Sequence, residues 1–197
     1  ELKVWTTIEA IGYPTKIYEN LKDIDLKLDY DINFLCVAQL GPRKNIPNTI
    51  KWFVEEFHDE EVGLVVKTNI ARNCFSDKEY VFDQFKRLLD QTAPDRKCKV
   101  YLLHGDMSDE EIHAMYKHEK ISAFVCLSHG EGFGLPFFEA AYSGLPVVAS
   151  GYSGQNDYLF NADSEECFYN VAFDLAAVPE NAVWDGVIPK ESMWAYP

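Results

Sequence analysis

A chain of 197 residues, 47% of them hydrophobic and 14% aromatic, has the make-up of a folded globular protein and not of a disordered segment. Its net charge of −14 argues against nucleic acid or an anionic membrane as a partner, since both call for a surplus of Lys and Arg, and it favours solubility instead. No apolar run approaches membrane-spanning length and no signal-peptide pattern opens the chain.

In chain order, residues 1–32 are charge-rich and irregular and predict a linker leading in from a preceding N-terminal domain. Short apolar, β-branched runs then predict buried strands at Asn33–Ala38, Val62–Lys67, Lys99–Leu103, Ile121–Leu127, Val147–Ala149 and Cys167–Val171. They are too continuously apolar for a sheet with one wet face, so both faces must be covered. Between them lie amphipathic segments of helical period. Pro47–Phe57 aligns Ile50, Phe53, Val54 and Phe57; Lys78–Leu89 aligns Val81, Phe82, Phe85 and Leu89. Ser108 with Glu111 forms a capping box ahead of Ile112, Met115 and Tyr116, and Leu135–Tyr142 follows the fourth strand. This alternation predicts βαβ units: a Rossmann-like parallel sheet over residues 33–172 with helices on both faces. Residues 173–197 hold Pro179, Pro189 and Pro197 and predict an irregular extension. A chain that opens without Met and closes on Trp194-Ala195-Tyr196-Pro197 reads as a piece of a longer protein.

Cys36, Cys74, Cys98, Cys126 and Cys167 are odd in number and widely spaced, without a C-x-x-C pair. That pattern, with no N-x-S/T sequon, predicts free thiols in a reducing, cytoplasmic setting, with Cys36 and Cys126 buried in apolar runs.

In an open parallel sheet ligands bind beyond the carboxyl ends of the strands. Two loops there are unusual: QLGPRKN, Gln39 to Asn45, after the first strand, and HGEGFG, His129 to Gly134, after the fourth. Gly130, Gly132 and Gly134 allow close backbone approach, and Leu135-Pro136 opens a helix whose N-terminus suits a phosphate. Glu131 precedes that helix and Glu139 sits in its second turn, so two hydrogen-bond acceptors flank an anion cradle. A ligand with hydroxyls at both ends, a sugar at one and a ribose at the other, suits that spacing.

The run EGFGLPFFEAAYSGLPVVAS, followed by Gly154 and Asp157, closely resembles the donor-site signature of retaining glycosyltransferases of the GT-B fold, the large family-four group. The resemblance covers about Phe34 to Tyr158, the nucleotide-sugar-binding half. It implies that Glu131 binds the donor sugar near its reacting carbon, that the backbone of Gly132, Phe133, Gly134 and Leu135 cradles the diphosphate, and that Glu139 binds the ribose. It implies that Lys44, with Arg43, neutralises the leaving diphosphate without a metal or other cofactor, and that Gly105 and Met107 in HGDMS, His104 to Ser108, help hold the base. The implied reaction is transfer from a nucleoside diphosphate sugar to a hydroxyl acceptor with retention of configuration. An N-terminal GT-B domain would complete the site. One departure stands out: the family reads Gly-Arg where this chain has Ala38-Gln39, so a cation is lost.

A donor-binding module inactive on its own, and a GT-B sugar-nucleotide epimerase, are the alternatives. Other features are weighed lower. Glu55-x-x-His58 and Glu110-x-x-His113 match half of a di-iron motif, but a βα alternation lacks the facing helices, so both read as surface pairs. His129 suits a proton donor and equally a loop residue with local bonds. Ser128 could reach a phosphate, and Trp184 and Trp194 could stack on a sugar, though packing is the commoner use of each.

Overall fold

The computed structural model describes residues 21–197. Six strands form one parallel sheet: β1 (Ile32–Val37), β2 (Val62–Lys67), β3 (Lys99–Leu103), β4 (Ile121–Val125), β5 (Val147–Ser150) and β6 (Tyr169–Val171), in the spatial order β3-β2-β1-β4-β5-β6. The helices are α1 (Ile46–Glu56), α2 (Phe75–Thr92), α3 (Asp109–Tyr116), α4 (Leu135–Tyr142) and the single turn α5 (Asn156–Leu159). α1 packs on α2, while α3 packs on α4 and α4 on α5. Right-handed crossovers in this strand order put the first pair on one face and the other three on the opposite face. The α/β architecture is thus the one predicted from the apolar runs.

The central strands explain themselves by burial. Leu35 and Cys36 in β1, and Leu64, Val65 and Val66 in β2, are consecutive and all buried, which requires a covered surface on both sides. Ile46, Ile50, Phe53 and Val54 of α1 and Val81, Phe85 and Leu89 of α2 form the apolar stripe over one face. Met115, Tyr116 and Phe137 cover the other. Ser108 caps α3 as predicted: it accepts from Glu111 N–H while the Glu111 carboxylate accepts from Ser108 N–H. Such a cap is worth about 1 kcal/mol.

β1 and β4 are neighbours, yet the chain leaves them in opposite directions along the sheet. This is the topological switch point, where such sheets open a crevice at their carboxyl edge. Both unusual loops issue from it.

Three expectations need correction. Residues 173–197 are not irregular: β7 (Asp174–Ala177) and β8 (Met193–Tyr196) pair antiparallel and bury Trp194 against Val178 and Ala182. Pro179 and Pro189 fall in the connection between those strands, where a missing N–H costs no ladder bond. The linker predicted over 1–32 lies partly outside the described residues. Within them, residues 21–31 pack on the domain: Leu28 is buried, the Tyr30 hydroxyl donates to Lys97 O at 2.8 Å, and Tyr101 donates to Asp29 at 3.0 Å. Finally, His113 is no surface residue. It is buried edge-on to Tyr116, with Nδ1 2.6 Å from Asp109 O. Cys36, Cys98 and Cys126 are buried, and Cys74 and Cys167 exposed. Among the described residues no helix is long and apolar enough to cross a membrane.

Candidate active site

The two switch-point loops are stitched together. After β1 the chain makes a 3₁₀ turn at Pro42–Lys44 and then turns left-handed at Asn45, φ 54°. Asparagine tolerates that conformation, and its buried amide donates to Leu127 O at 2.9 Å. His129 N–H donates to Arg43 O at 2.8 Å. The result brings Arg43, Lys44 and Glu131 together. Lys44 Nζ lies 2.7 Å from both Glu131 carboxylate oxygens, and Arg43 Nη1 lies 2.9 Å from Oε2. Arg43 also donates to Gly130 O. The Glu131 side chain is only 4% exposed. A carboxylate so buried needs cationic partners. Two cations face one carboxylate, so one positive charge is left over beside the loop.

The turn itself is held from behind. Gly154 N–H donates to Glu131 O at 3.0 Å, and the Ser153 hydroxyl both donates to Glu131 O at 2.6 Å and accepts from Glu131 N–H at 3.3 Å. Ser153 takes φ 81° to do this, a costly conformation for serine that the two bonds offset. A Cβ on Gly154 would come within 2.0 Å of Gly132 O. Tyr158 Oη lies 2.8 Å from Phe133 O and 2.7 Å from Gly134 O and shares its single proton between them. Burial pushes this phenol well above its ordinary range, so it stays a donor.

Gly134 ends the turn at φ 83° and caps α4; a Cβ there would also lie 2.9 Å from Tyr158 Oη. Phe137 and Phe138 N–H fold back onto Gly134 O, and Pro136 has no N–H. The amides of Gly134 and Leu135 find no partner among the described residues, and Leu135 is half exposed at the mouth of the turn. Free amides at a helix N-terminus favour an anion.

Glu139, one turn further, is partly buried. Tyr116 Oη of α3 donates to its carboxylate at 3.0 Å. Burial raises its pKa, and the tyrosine bond opposes that rise. Gly105 turns at φ 109°, with Lys67 Nζ donating to its carbonyl at 2.6 Å, and Met107 is half buried beside it. Gln39 is exposed, and its amide donates to Ile70 O in the loop after β2. The structure therefore joins Arg43, Lys44 and Glu131 to the Gly132–Leu135 turn. It leaves Glu139 on the α3 side and sets Gln39, Gly105 and Met107 on adjoining loops.

Sequence reasoning missed Ser153, Tyr158 and Tyr116. It also missed the Asp77–His104 pair. Asp77 in the first turn of α2 accepts from the N–H groups of Ile70, Ala71 and Arg72 at 2.9–3.1 Å and from His104 Nε2 at 2.9 Å. An ionised carboxylate only accepts, so the ring nitrogen donates. The His104 bond, then the three amides, hold this carboxyl far below the usual range. The loops after β2 and β3 are thereby locked to each other.

His129 makes the local bonds of a loop residue. Its ring stacks on Trp194, with centroids 4.8 Å apart and planes at 9°, and its Nδ1 donates to Ala195 O at 2.6 Å. Burial lowers its pKa. Ala195 N–H returns a bond to His129 O at 2.9 Å, so β8 is fastened to the glycine loop. Trp194 is packing, while Trp184 is exposed. The Ser128 hydroxyl is buried without a partner among the described residues.

A glycine turn feeding a helix N-terminus thus lies at the switch point of a Rossmann-like sheet, flanked by a cation-bound glutamate and a second glutamate. The chain belongs to the glycosyl transferases group 1 family, whose model matches residues 18–171. It is 26% identical over 167 residues to the O-antigen chain mannosyltransferase RfbU of Salmonella typhimurium (strain LT2), covering 82% of this chain and 43% of that one. The chain thus spans less than half the length of this curated relative. Among solved structures it resembles the trehalose-6-phosphate synthase OtsA (TM-score 0.56, 13% identity, 74% of this chain and 36% of that one). A trehalose-6-phosphate protein of E. coli bound with UDP-2-fluoro glucose gives TM-score 0.54 at 13% identity, over 68% and 32% of the chains. The C-terminal domain of the glycosyl transferase group 1 family protein LpcC of Francisella tularensis gives TM-score 0.51 at 20% identity, over 74% and 69%. These likenesses establish the fold, one Rossmann-like half of a GT-B architecture.

Proposed function

We propose that this chain binds a nucleoside diphosphate sugar and forms the donor half of a glycosyltransferase that passes the sugar to a hydroxyl acceptor with retention of configuration. The observation that carries the reading is the Glu131 carboxylate clamped by Lys44 and Arg43 at the mouth of α4. The surplus positive charge and the free amides of Gly134 and Leu135 suit a diphosphate. Arrival of that dianion draws the two cations toward it and frees Glu131 to accept hydrogen bonds from the sugar hydroxyls. Glu139 and Tyr116 offer acceptor and donor to a ribose diol.

In the reaction the bond from the sugar's anomeric carbon to the diphosphate oxygen breaks while a bond to the acceptor oxygen forms on the same face. The acceptor's proton passes to the departing phosphate oxygen. Lys44, Arg43 and the helix terminus stabilise the charge that develops there, so no metal or other cofactor is invoked. The relative's greater length supports a second domain as the source of the acceptor side.

The second reading, a donor-binding module without turnover, draws on Gln39, which brings no charge and is tied to Ile70 O. Calorimetric titration with UDP, GDP, ADP and their glucose and mannose conjugates, without added metal, tests donor binding: one nucleotide series should saturate the site. Release of nucleoside diphosphate in the presence of a hydroxyl acceptor, by the chain joined to an acceptor domain, tests turnover. Binding without release, cured by Gln39→Arg, would favour the second reading.

A further inference from the structure

Tyr158 reaches the glycine turn from the single-turn helix α5, and its hydroxyl meets two carbonyl groups there. Oη lies 2.8 Å from Phe133 O and 2.7 Å from Gly134 O. The ring is seated against Phe133 and Phe138, with centroids 5.1 and 5.3 Å away. One hydroxyl can serve two successive carbonyls because Gly134 is left-handed, φ 83° and ψ 54°, which runs its two peptide units nearly parallel, as in a helix. The same segment holds the first peptide of the turn, where the Ser153 hydroxyl and Gly154 N–H both donate to Glu131 O. Three carbonyls of the turn thus face residues 153–158.

A trans peptide carries its N–H opposite to its C=O. Carbonyls of Glu131, Phe133 and Gly134 that face residues 153–158 therefore send the N–H groups of Gly132, Gly134 and Leu135 the other way. None of these amides has a partner among the described residues. Successive N–H groups across a left-handed residue and a helical one make a concave nest for an anion. The Gly134–Leu135 peptide is fixed by α4 itself, since Phe137 and Phe138 N–H also donate to Gly134 O. The Phe133–Gly134 peptide is not: among the described residues Tyr158 is the only donor to Phe133 O. Glycine accepts either sign of φ, so the residue that lets the turn form also lets the peptide before it flip. A flipped peptide would aim Phe133 O at the mouth of the turn and repel an anion.

We propose that Tyr158 is a positioning residue: by donating to Phe133 O it holds the Phe133–Gly134 peptide with its N–H toward the mouth, so that the amides of Gly134 and Leu135 act together on the diphosphate. The assignment deepens the donor-binding reading above and rests on it. A bond to the carbonyl also polarises the peptide and makes its N–H a stronger donor. Burial keeps the phenol protonated, so it never turns into an acceptor beside those carbonyls.

The test is titration of inorganic pyrophosphate, UDP, GDP and ADP against the unmodified protein and Tyr158→Phe. Calorimetry reads affinity, the amide resonances of Gly134 and Leu135 in isotope-labelled protein read the turn, and melting curves verify folding. Phenylalanine keeps the ring contacts and removes only the hydroxyl. In the unmodified protein pyrophosphate should shift both amide resonances. Tyr158→Phe should move the Gly134 resonance before any ligand is added. It should also weaken pyrophosphate and the nucleoside diphosphate alike, by about tenfold, the worth of one hydrogen bond to a charged group. A purely structural tyrosine would lower the melting temperature and leave the affinities of the folded variant unchanged; that result overturns the assignment and leaves the donor reading standing. So does a loss confined to nucleotides that spares pyrophosphate. Pyrophosphate binding to the unmodified protein that leaves both amides unmoved overturns it too, even if the variant fails to fold. Failure of pyrophosphate and every nucleotide to bind the unmodified protein overturns the donor reading itself, and the assignment with it.

Discussion

Lys44 Nζ sits 2.7 Å from each carboxylate oxygen of Glu131, and the two residues belong to loops 87 positions apart in the chain. The carboxylate thus occupies the cation that a diphosphate would need. Glu131→Ala releases both Lys44 and Arg43. Its affinity for free nucleoside diphosphate should be spared or rise, while the added affinity for the sugar-bearing form disappears. Glu139→Ala should weaken both forms alike, by about tenfold for a lost charged hydrogen bond. Titration of each variant with the nucleotide and its sugar conjugate measures this; equal losses for both ligands in both variants would end the division of roles. Replacing Arg43 and Lys44 together by Met is a harsher change. It strands a nearly buried carboxylate, at a cost of about 3–5 kcal/mol, and should lower the melting temperature as well as abolish binding.

Gly154 is the second fixed point. A Cβ at this position would lie only 2.0 Å from Gly132 O, so Gly154→Ala must push the glycine turn out of place. The displaced turn carries the Glu131 carbonyl that Gly154 N–H holds. Loss of nucleotide binding is expected with the sheet intact, read by titration alongside far-ultraviolet circular dichroism. Gly144→Ala is the control for local strain. It has φ 79° and open space around it, so it should cost stability and leave affinity unchanged.

The strands and the glutamate pair were legible because each is a local pattern. Leu64-Val65-Val66 announces a strand covered on both faces, and the glycine spacing from Gly130 to Gly134 announces a turn into a helix. The partners of those groups were not legible, because they come from elsewhere in the chain. Tyr116 meets Glu139 across 23 positions, and Asp77 meets His104 across 27. Nothing in either local sequence signals the other member. The β7–β8 hairpin was hidden for another reason. Its strands are short and separated by a proline-bearing connection, and what they bury is the single large ring of Trp194.

Asp77 gives a stability prediction with a definite sign. Its native pKa is depressed by His104 and three backbone amides, below an unfolded value of about 3.9. The stability it confers is therefore complete above that unfolded value and is lost as pH falls through and below it. Melting temperatures followed from pH 7 down to pH 3 should fall more steeply for the unmodified protein than for Asp77→Asn. At pH 7 the variant should be the less stable. Parallel curves would mean that the carboxylate contributes nothing as a charge. Because Asp77 locks the loops after β2 and β3, Asp77→Asn should also weaken nucleotide binding while leaving pyrophosphate binding unchanged.

His129 titrates in a higher range. Its ring lies between Trp194 and Tyr196 and donates to Ala195 O, and burial depresses its pKa below the unfolded value of about 6.5. The unfolded chain then binds the proton more readily than the native one. Stability from the docked hairpin is complete above about pH 6.5 and declines as the pH drops through that value toward the lower native one. Melting temperatures measured from pH 8 to pH 5 should fall in the unmodified protein and fall less in His129→Phe, which keeps a stacking ring without a titrating nitrogen. The same variant loses the bond to Ala195 O, so at pH 8 it should be destabilised by about 1 kcal/mol. If His129 were instead a proton donor to the departing diphosphate, His129→Phe would abolish transfer. Transfer that persists alongside a flattened stability profile identifies it as the clasp between β8 and the glycine turn.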